Sequence, residues 1–244
     1  MANLSGPQIS AQSGTFDSTT DQRAALGGSM NAGDGRQFRY CLAGAVDLVA
    51  GNVIQSSAIV TAHLANTPPA VAVGATSFTY TPGAATGVAN QYAGGYLQVD
   101  TTPGNGYTYQ VSGHAAIASA TAFTLNLTDA IQVALTTSSR VGLIANPYRS
   151  VIQFPVTTAT GSYVGVAPAI ITAAQYGWLQ TAGICSTLIS GTPALGAMVM
   201  TPSATAGSAI ITTTTNLVVA QFVGTMAQIG VDGKNNAVNL RFLD

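Results

Sequence analysis

Between Arg149 and Asp232 the chain carries no Asp, Glu, Lys, Arg or His. Gly, Pro, Ser and Thr interrupt its apolar stretches every few residues, as in GWLQTAGICSTLISGTPALGAMVM at 177 to 200. A helix that crosses a bilayer needs about 20 predominantly apolar residues in a row, because lipid offers its backbone no hydrogen-bond partners. This run cannot meet that need. The opening MANLSGPQIS has neither the basic start nor the apolar core of a secretory signal. The expectation is therefore a soluble chain, made in a cytosol, with no membrane partner.

Charge is scarce throughout. Only 6% of residues are Asp, Glu, Lys or Arg, against roughly 25% in an average soluble domain. There is no Glu, and Lys234 is the one lysine. A disordered chain is charged and poor in apolar residues, whereas 47% of this one is hydrophobic, so it folds. Its surface lacks the repulsion that keeps copies apart, and much of it is expected to be covered in an assembly. Six Arg and one Lys with net charge −1 cannot supply the clustered cations that neutralise phosphates, which excludes direct nucleic-acid binding.

The folded pattern is period two, the mark of half-buried strands. QFRYCL at 37 to 42 sets Phe38, Tyr40 and Leu42 on one face, and FTLNLT at 123 to 128 does the same with Phe123, Leu125 and Leu127. GYTYQVSG alternates Tyr107, Tyr109 and Val111 with polar residues. Turn clusters separate the runs: TPGAATG at 81, DTTPGNG at 100, NP at 146, SGTP at 190 and DGKNN at 232. The last predicts a hairpin joining AQIGV to VNLRF. TDAIQVAL at 128 to 135 is the one helix-like stretch.

These patterns predict an all-β chain: an extended N-terminal arm over 1–35, a first β-barrel or β-sandwich domain over 36–150, and a second, smaller one over 151–244. The arm is rich in Gly, Ser, Thr and Asp. It is expected to order only against a partner and to be removable without unfolding the domains.

Constellations that carry chemistry are thin. Cys185 has no His in its own half, since His63 and His114 both lie in the first. Cys41 and Cys185 read as buried, inert thiols, and two cysteines in different predicted domains do not suggest a disulfide. Two His some 50 residues apart fall short of a zinc site, which takes three or four ligands at suitable spacing. The loop from Asp100 to Gly106 holds one Asp, far from a calcium-loop pattern. With no Glu, the carboxylate pair of a glycosidase is unavailable. The expectation is a non-catalytic protein without cofactor or metal.

Four blocks, in order, resemble tailed-bacteriophage virion proteins encoded close to the major capsid protein: GRQFRYCLAGAVDLVAGNVIQ at 35 to 55, ANQYAGGYLQVDTTPGNGYTYQVSGH at 89 to 114, ALTTSSRVGLIANPYRSVIQ at 134 to 153, and QYGWLQTAGICSTLISGTPALGAMVM at 175 to 200. The resemblance implies a capsid decoration, or cement, protein on the outer surface of the virion, bound to the major capsid protein. It brings no catalytic residues. A tail, fibre or receptor-binding component is the competing role. The arm's Phe16, Asp17, Asp21 and Arg23, with the adjoining Arg36, Phe38 and Arg39, are the expected contacts to shell or neighbouring subunit. Sparse charge and the symmetry of shells favour a homo-oligomer, a trimer above a dimer.

Overall fold

A computed structural model describes residues 14–156, 158–201, 203–212 and 220–241. Fifteen strands and one short 3-10 turn, Thr61–His63, make up its regular structure. The all-β expectation holds. TDAIQVAL is no helix: Leu135 bridges Val71, and Ile131 and Leu135 are buried in a β-sheet core. No helix among the described residues is long and apolar enough to cross a membrane.

The chain forms two compact units, but the second is inserted into the first. Ala58–Asn146 is one unit, and the residues up to Ser57 join those from Pro147 onward in the other. The expected division at 150 is corrected accordingly. Its physical reason is strand pairing: β2 (Gln37–Leu42) and β3 (Val53–Gln55) find their partners in the C-terminal half, not in the strands that follow them.

The outer unit is organised by one long strand, β11 (Tyr176–Ser190). Both of its edges are used twice. Gln180 pairs with Phe38 of β2 and with Val166 of β10 (Tyr163–Val166); Ile189 pairs with Lys234 of β15 (Lys234–Arg241) and with Ala209 of β13 (Ala209–Ile211). From β13 the ladder runs through β12 (Met198–Thr201) and β14 (Gln221–Met226) to β15 and back to β11, closing a five-stranded barrel. The other half of β11 continues through β10 and β3 to β9 (Ile152–Gln153). A bridge from Ala43 to Val151 brings that path back to the end of β2.

β3 and β10 separate two cores. Ile54 and Val164 pack with Leu48, Ile171 and Leu179, while Val53, Tyr163 and Val166 pack with Cys185, Val199, Val223 and Val238. Every residue of both strands is buried, so neither shows polar alternation. The buried Gln55 is satisfied by Thr160, donating to its Oγ1 at 2.6 Å and accepting its N–H at 3.3 Å.

β11 is bulged where it changes partners. Between Gln180 and Ala182 the register to β2 slips, leaving Thr181 as the extra residue, and the Gln180 amide donates to the carbonyls of Ala182 and Ile184. Gly183 follows with φ +80°, and a Cβ there would lie 2.6 Å from the Gly35 carbonyl oxygen. The position therefore requires glycine for both its conformation and its close approach.

The inserted unit is an antiparallel sheet in the order β4 (Ser77–Tyr80), β7 (Phe123–Leu127), β6 (Thr108–His114), β5 (Tyr96–Thr101), β8 (Arg140–Ile144). β7 alternates as its sequence predicts, with Phe123, Leu125 and Leu127 in the core. Tyr109 and Val111 are buried, whereas Tyr107 precedes β6 and is exposed. In the outer unit β14 pairs with β15, but AQIGV lies in their connection, because the Gly230 N–H donates to Pro193 instead of to a ladder.

Gly183→Ala should destabilise the outer unit by more than Gly191→Ala. Gly191 also has positive φ, +98°, but open space around it. The strain common to both is about 1–3 kcal/mol, and the excess at Gly183, read by denaturant unfolding, measures the clash with Gly35.

Candidate functional site

From Gly14 onward the predicted arm lies on its own chain. Thr19 bridges Tyr176 of β11, the Ser18 hydroxyl donates to Gln175 Oε1 at 2.7 Å, and the Arg23 N–H donates to the Tyr40 hydroxyl at 2.9 Å. β1 (Ser29–Asn31) then pairs with β2 and buries Met30. The expectation that the arm orders only against a partner is corrected for 14–35, which pack on β2 and β11 of the same chain; residues 1–13 lie outside the described residues. The Thr19 hydroxyl also donates to the Asp21 carbonyl at 2.9 Å, a local side-chain-to-backbone bond of the kind that holds a short segment outside regular structure.

This segment covers an aromatic face. Trp178 stands opposite Tyr40 in the β11–β2 ladder, with Tyr176 two residues away on the same face. The Tyr40 and Tyr176 rings stack at 5.8 Å, and Trp178 meets Tyr40 edge-on at 5.0 Å. Together with Asp17, Thr19 and Arg23 they line a cavity of about 250 Å³.

The seven expected contact residues therefore separate. Phe16, 57% exposed, with Asp17, Asp21 and Arg23, stands on the outside of the segment. Asp17 and Arg23 belong to the cavity, while the Asp21 carbonyl accepts the Thr19 hydroxyl. Arg36 pairs with Asp34 at 2.8 Å and lies 5.8 Å over the Phe38 ring. That contact, led by the hydrogen bond from the Arg36 N–H, holds the Asp34 carboxyl below its ordinary range. Phe38 is 1% exposed, so its expected role as a partner contact is corrected: it packs inside its own chain. Arg39 donates to the Gly27 carbonyl at 3.0 Å and fastens the segment to β2. Sequence reasoning missed Tyr40, Tyr176 and Trp178 as a site; the alternation in YGW at 176 to 178 carried the signal.

The candidate chemical groups are spent on packing. Burial pushes the Cys41 and Cys185 thiols up to about 12, only partly offset by the Gly177 backbone at Cys41 and by Thr187 and Arg36 at Cys185. In the inserted unit His63 and His114 flank Tyr92: His63 Nδ1 lies 2.6 Å from the Tyr92 hydroxyl, and His114 Nε2 accepts the Tyr92 N–H at 3.0 Å. The remaining nitrogens face the carbonyls of Ala85 and Ala115, at 3.2 and 2.6 Å, which gives each ring one neutral tautomer that satisfies its contacts. Burial also pushes the Tyr92 hydroxyl up to about 12. No group of three or more His, Cys, Asp or Glu suited to a metal occurs among the described residues. Compared with models of known protein families, with curated proteins and with solved structures, the chain matches none.

Three outcomes follow. Both thiols should resist a thiol reagent at pH 8 in the folded protein and react fully in denaturant. Their pKa is raised on folding, so the stability they contribute is present below about pH 9 and is lost as pH climbs toward about 12; unfolding melts across that window should fall, and less so in Cys41→Ala with Cys185→Ala. Deleting the chain up to Asn31 should cost at least about 2 kcal/mol of stability, because it uncovers Phe38 and Tyr40. Calorimetry reads the difference.

Proposed function

We propose that the chain is a structural virion protein that decorates and cements a tailed-phage capsid, binding the outside of the major capsid protein shell as a homo-oligomer, with a trimer favoured. The four sequence blocks supply the virion reading. The observation that carries the docking role is a patch of exposed aliphatic side chains at one end of the outer unit. There the Gly230 N–H donates to the Pro193 carbonyl and the Gly196 N–H to the Met226 carbonyl, which holds two loops side by side. Leu195, Ile229 and Val231 project from them at 66%, 78% and 63% exposure. Large aliphatics so exposed, with Asp232 and Lys234 as the nearest charges in sequence, suit burial against a partner better than solvent. A shell contact of this kind is insensitive to ions, because salt screens charges and leaves apolar contacts alone.

The reading is also non-catalytic. It is supported by thiols held neutral, histidines committed to Tyr92, and a chain without Glu.

In purified particles the protein should fractionate with heads at a copy number comparable to the capsomers, read by gel densitometry. A few tens of copies travelling with tails would assign it to the tail or fibre instead. In solution its oligomer should persist from low to high salt by light scattering, and Ile229→Asp with Val231→Asp should weaken shell binding while leaving the barrel folded. A strict monomer that binds no shells would overturn the proposal.

A further inference from the structure

We propose that the cavity between residues 14–24 and the aromatic face of β2 and β11 is a binding site for a single neutral sugar ring, a pyranose at the end of a glycan. This goes beyond the capsid role and does not rest on it.

The walls set the chemistry. Tyr176 and Trp178 are half-buried, so part of each ring is left for a ligand, and an aromatic face carries negative charge density that attracts the slightly positive C–H bonds of a sugar. Tyr40 is 2% exposed, and its hydroxyl oxygen accepts the Arg23 N–H. The Arg23 N–H is that hydroxyl's one hydrogen-bond partner among the described residues, which leaves its own proton without an acceptor, while the half-buried Trp178 indole is open to the cavity. A buried donor without an acceptor is costly, and a ligand oxygen in the cavity would supply one.

The rim sets the charge. Asp17 and Arg23 both line the cavity, and neither is ion-paired among the described residues, where Asp34 and Arg36 form the pair. An anionic ligand would meet the Asp17 carboxylate and a cation the Arg23 guanidinium. A purely apolar ring would desolvate both without replacing their hydrogen bonds. A polyol satisfies the two together: its hydroxyls donate to the carboxylate and accept from the guanidinium. The volume, about 250 Å³, lies just below the range of roughly 300–1,000 Å³ that holds drug-sized ligands, which is room for one ring with the rest of a glycan outside.

Trp178 is the chain's one tryptophan, so its emission reports occupancy directly. The full-length protein would be titrated with glucose, galactose, N-acetylglucosamine and N-acetylgalactosamine, and in parallel with indole and inorganic phosphate. Saturable change with at least one pyranose is expected, with Kd raised about tenfold or more by Asp17→Asn and by Arg23→Gln, since each removes a charge-assisted hydrogen bond. Both side chains are exposed, and circular dichroism checks that the variants remain folded. Silence with all four sugars would overturn the proposal. So would saturation by indole or phosphate alone, or sugar binding that both variants retain at full strength.

Discussion

Everything in the outer unit depends on the double use of β11. A strand edge is a row of unmet N–H and C=O groups, and leaving it open invites pairing with other chains. Here each edge is divided between two partners, β10 then β15 on one side and β2 then β13 on the other. The bulge at Thr181 and the positive φ of Gly183 turn the strand at the changeover. One strand thereby supports both a closed barrel and the ladder that covers the second core.

A fold so poor in charge must satisfy its interior with neutral groups, and it does so locally. Gln55 with Thr160, His63 and His114 with Tyr92, and Asn236 with the Val231 backbone are all uncharged pairings. None carries the desolvation cost of a buried ion. Tyr80 and Thr201 keep buried hydroxyl oxygens without a partner among the described residues. Burial pushes the Tyr80 hydroxyl up as well, with the neighbouring Tyr92 adding to it.

The sequence made strands legible where one face is wet. β7 shows the alternation of FTLNL without exception, and β2 spans the predicted QFRYCL because Gln37 and Arg39 alternate with Phe38 and Tyr40, although Cys41 on the opposite face is buried too. It hid strands that are buried on both faces: VIQ and YVGV have no polar alternation to find because cores lie on either side. TDAIQVAL misled because Ile131 and Leu135, four apart, mimic a helical face while serving a sheet core. The nested order of the units was hidden for another reason. Partners such as Leu42 and Tyr176 are far apart in sequence, and local pattern carries no record of distant pairing. The cavity shares that difficulty, since Asp17 and Trp178 come from opposite ends of the chain. Asp17 and Arg23 were expected as contacts to a shell or neighbouring subunit, not as the rim of a cavity.

Nesting also bears on how such long-range pairing is achieved. β3 and β9 pair across the whole of the inserted unit, Ile54 with Gln153 and Gln55 with Ile152. For a flexible chain each doubling of the closed loop costs only about 0.6 kcal/mol, so a long insertion is thermodynamically tolerable. What it slows is the search, because non-local pairing must find its partner before any contact rewards it. The inserted unit has its own core and its own five-stranded ladder, all of whose pairings lie within it, so it can order without waiting for β11. Once it has, the chain between β3 and β9 is no longer a free loop, and the outer unit closes around a strand whose two edges are shared among β10, β15, β2 and β13.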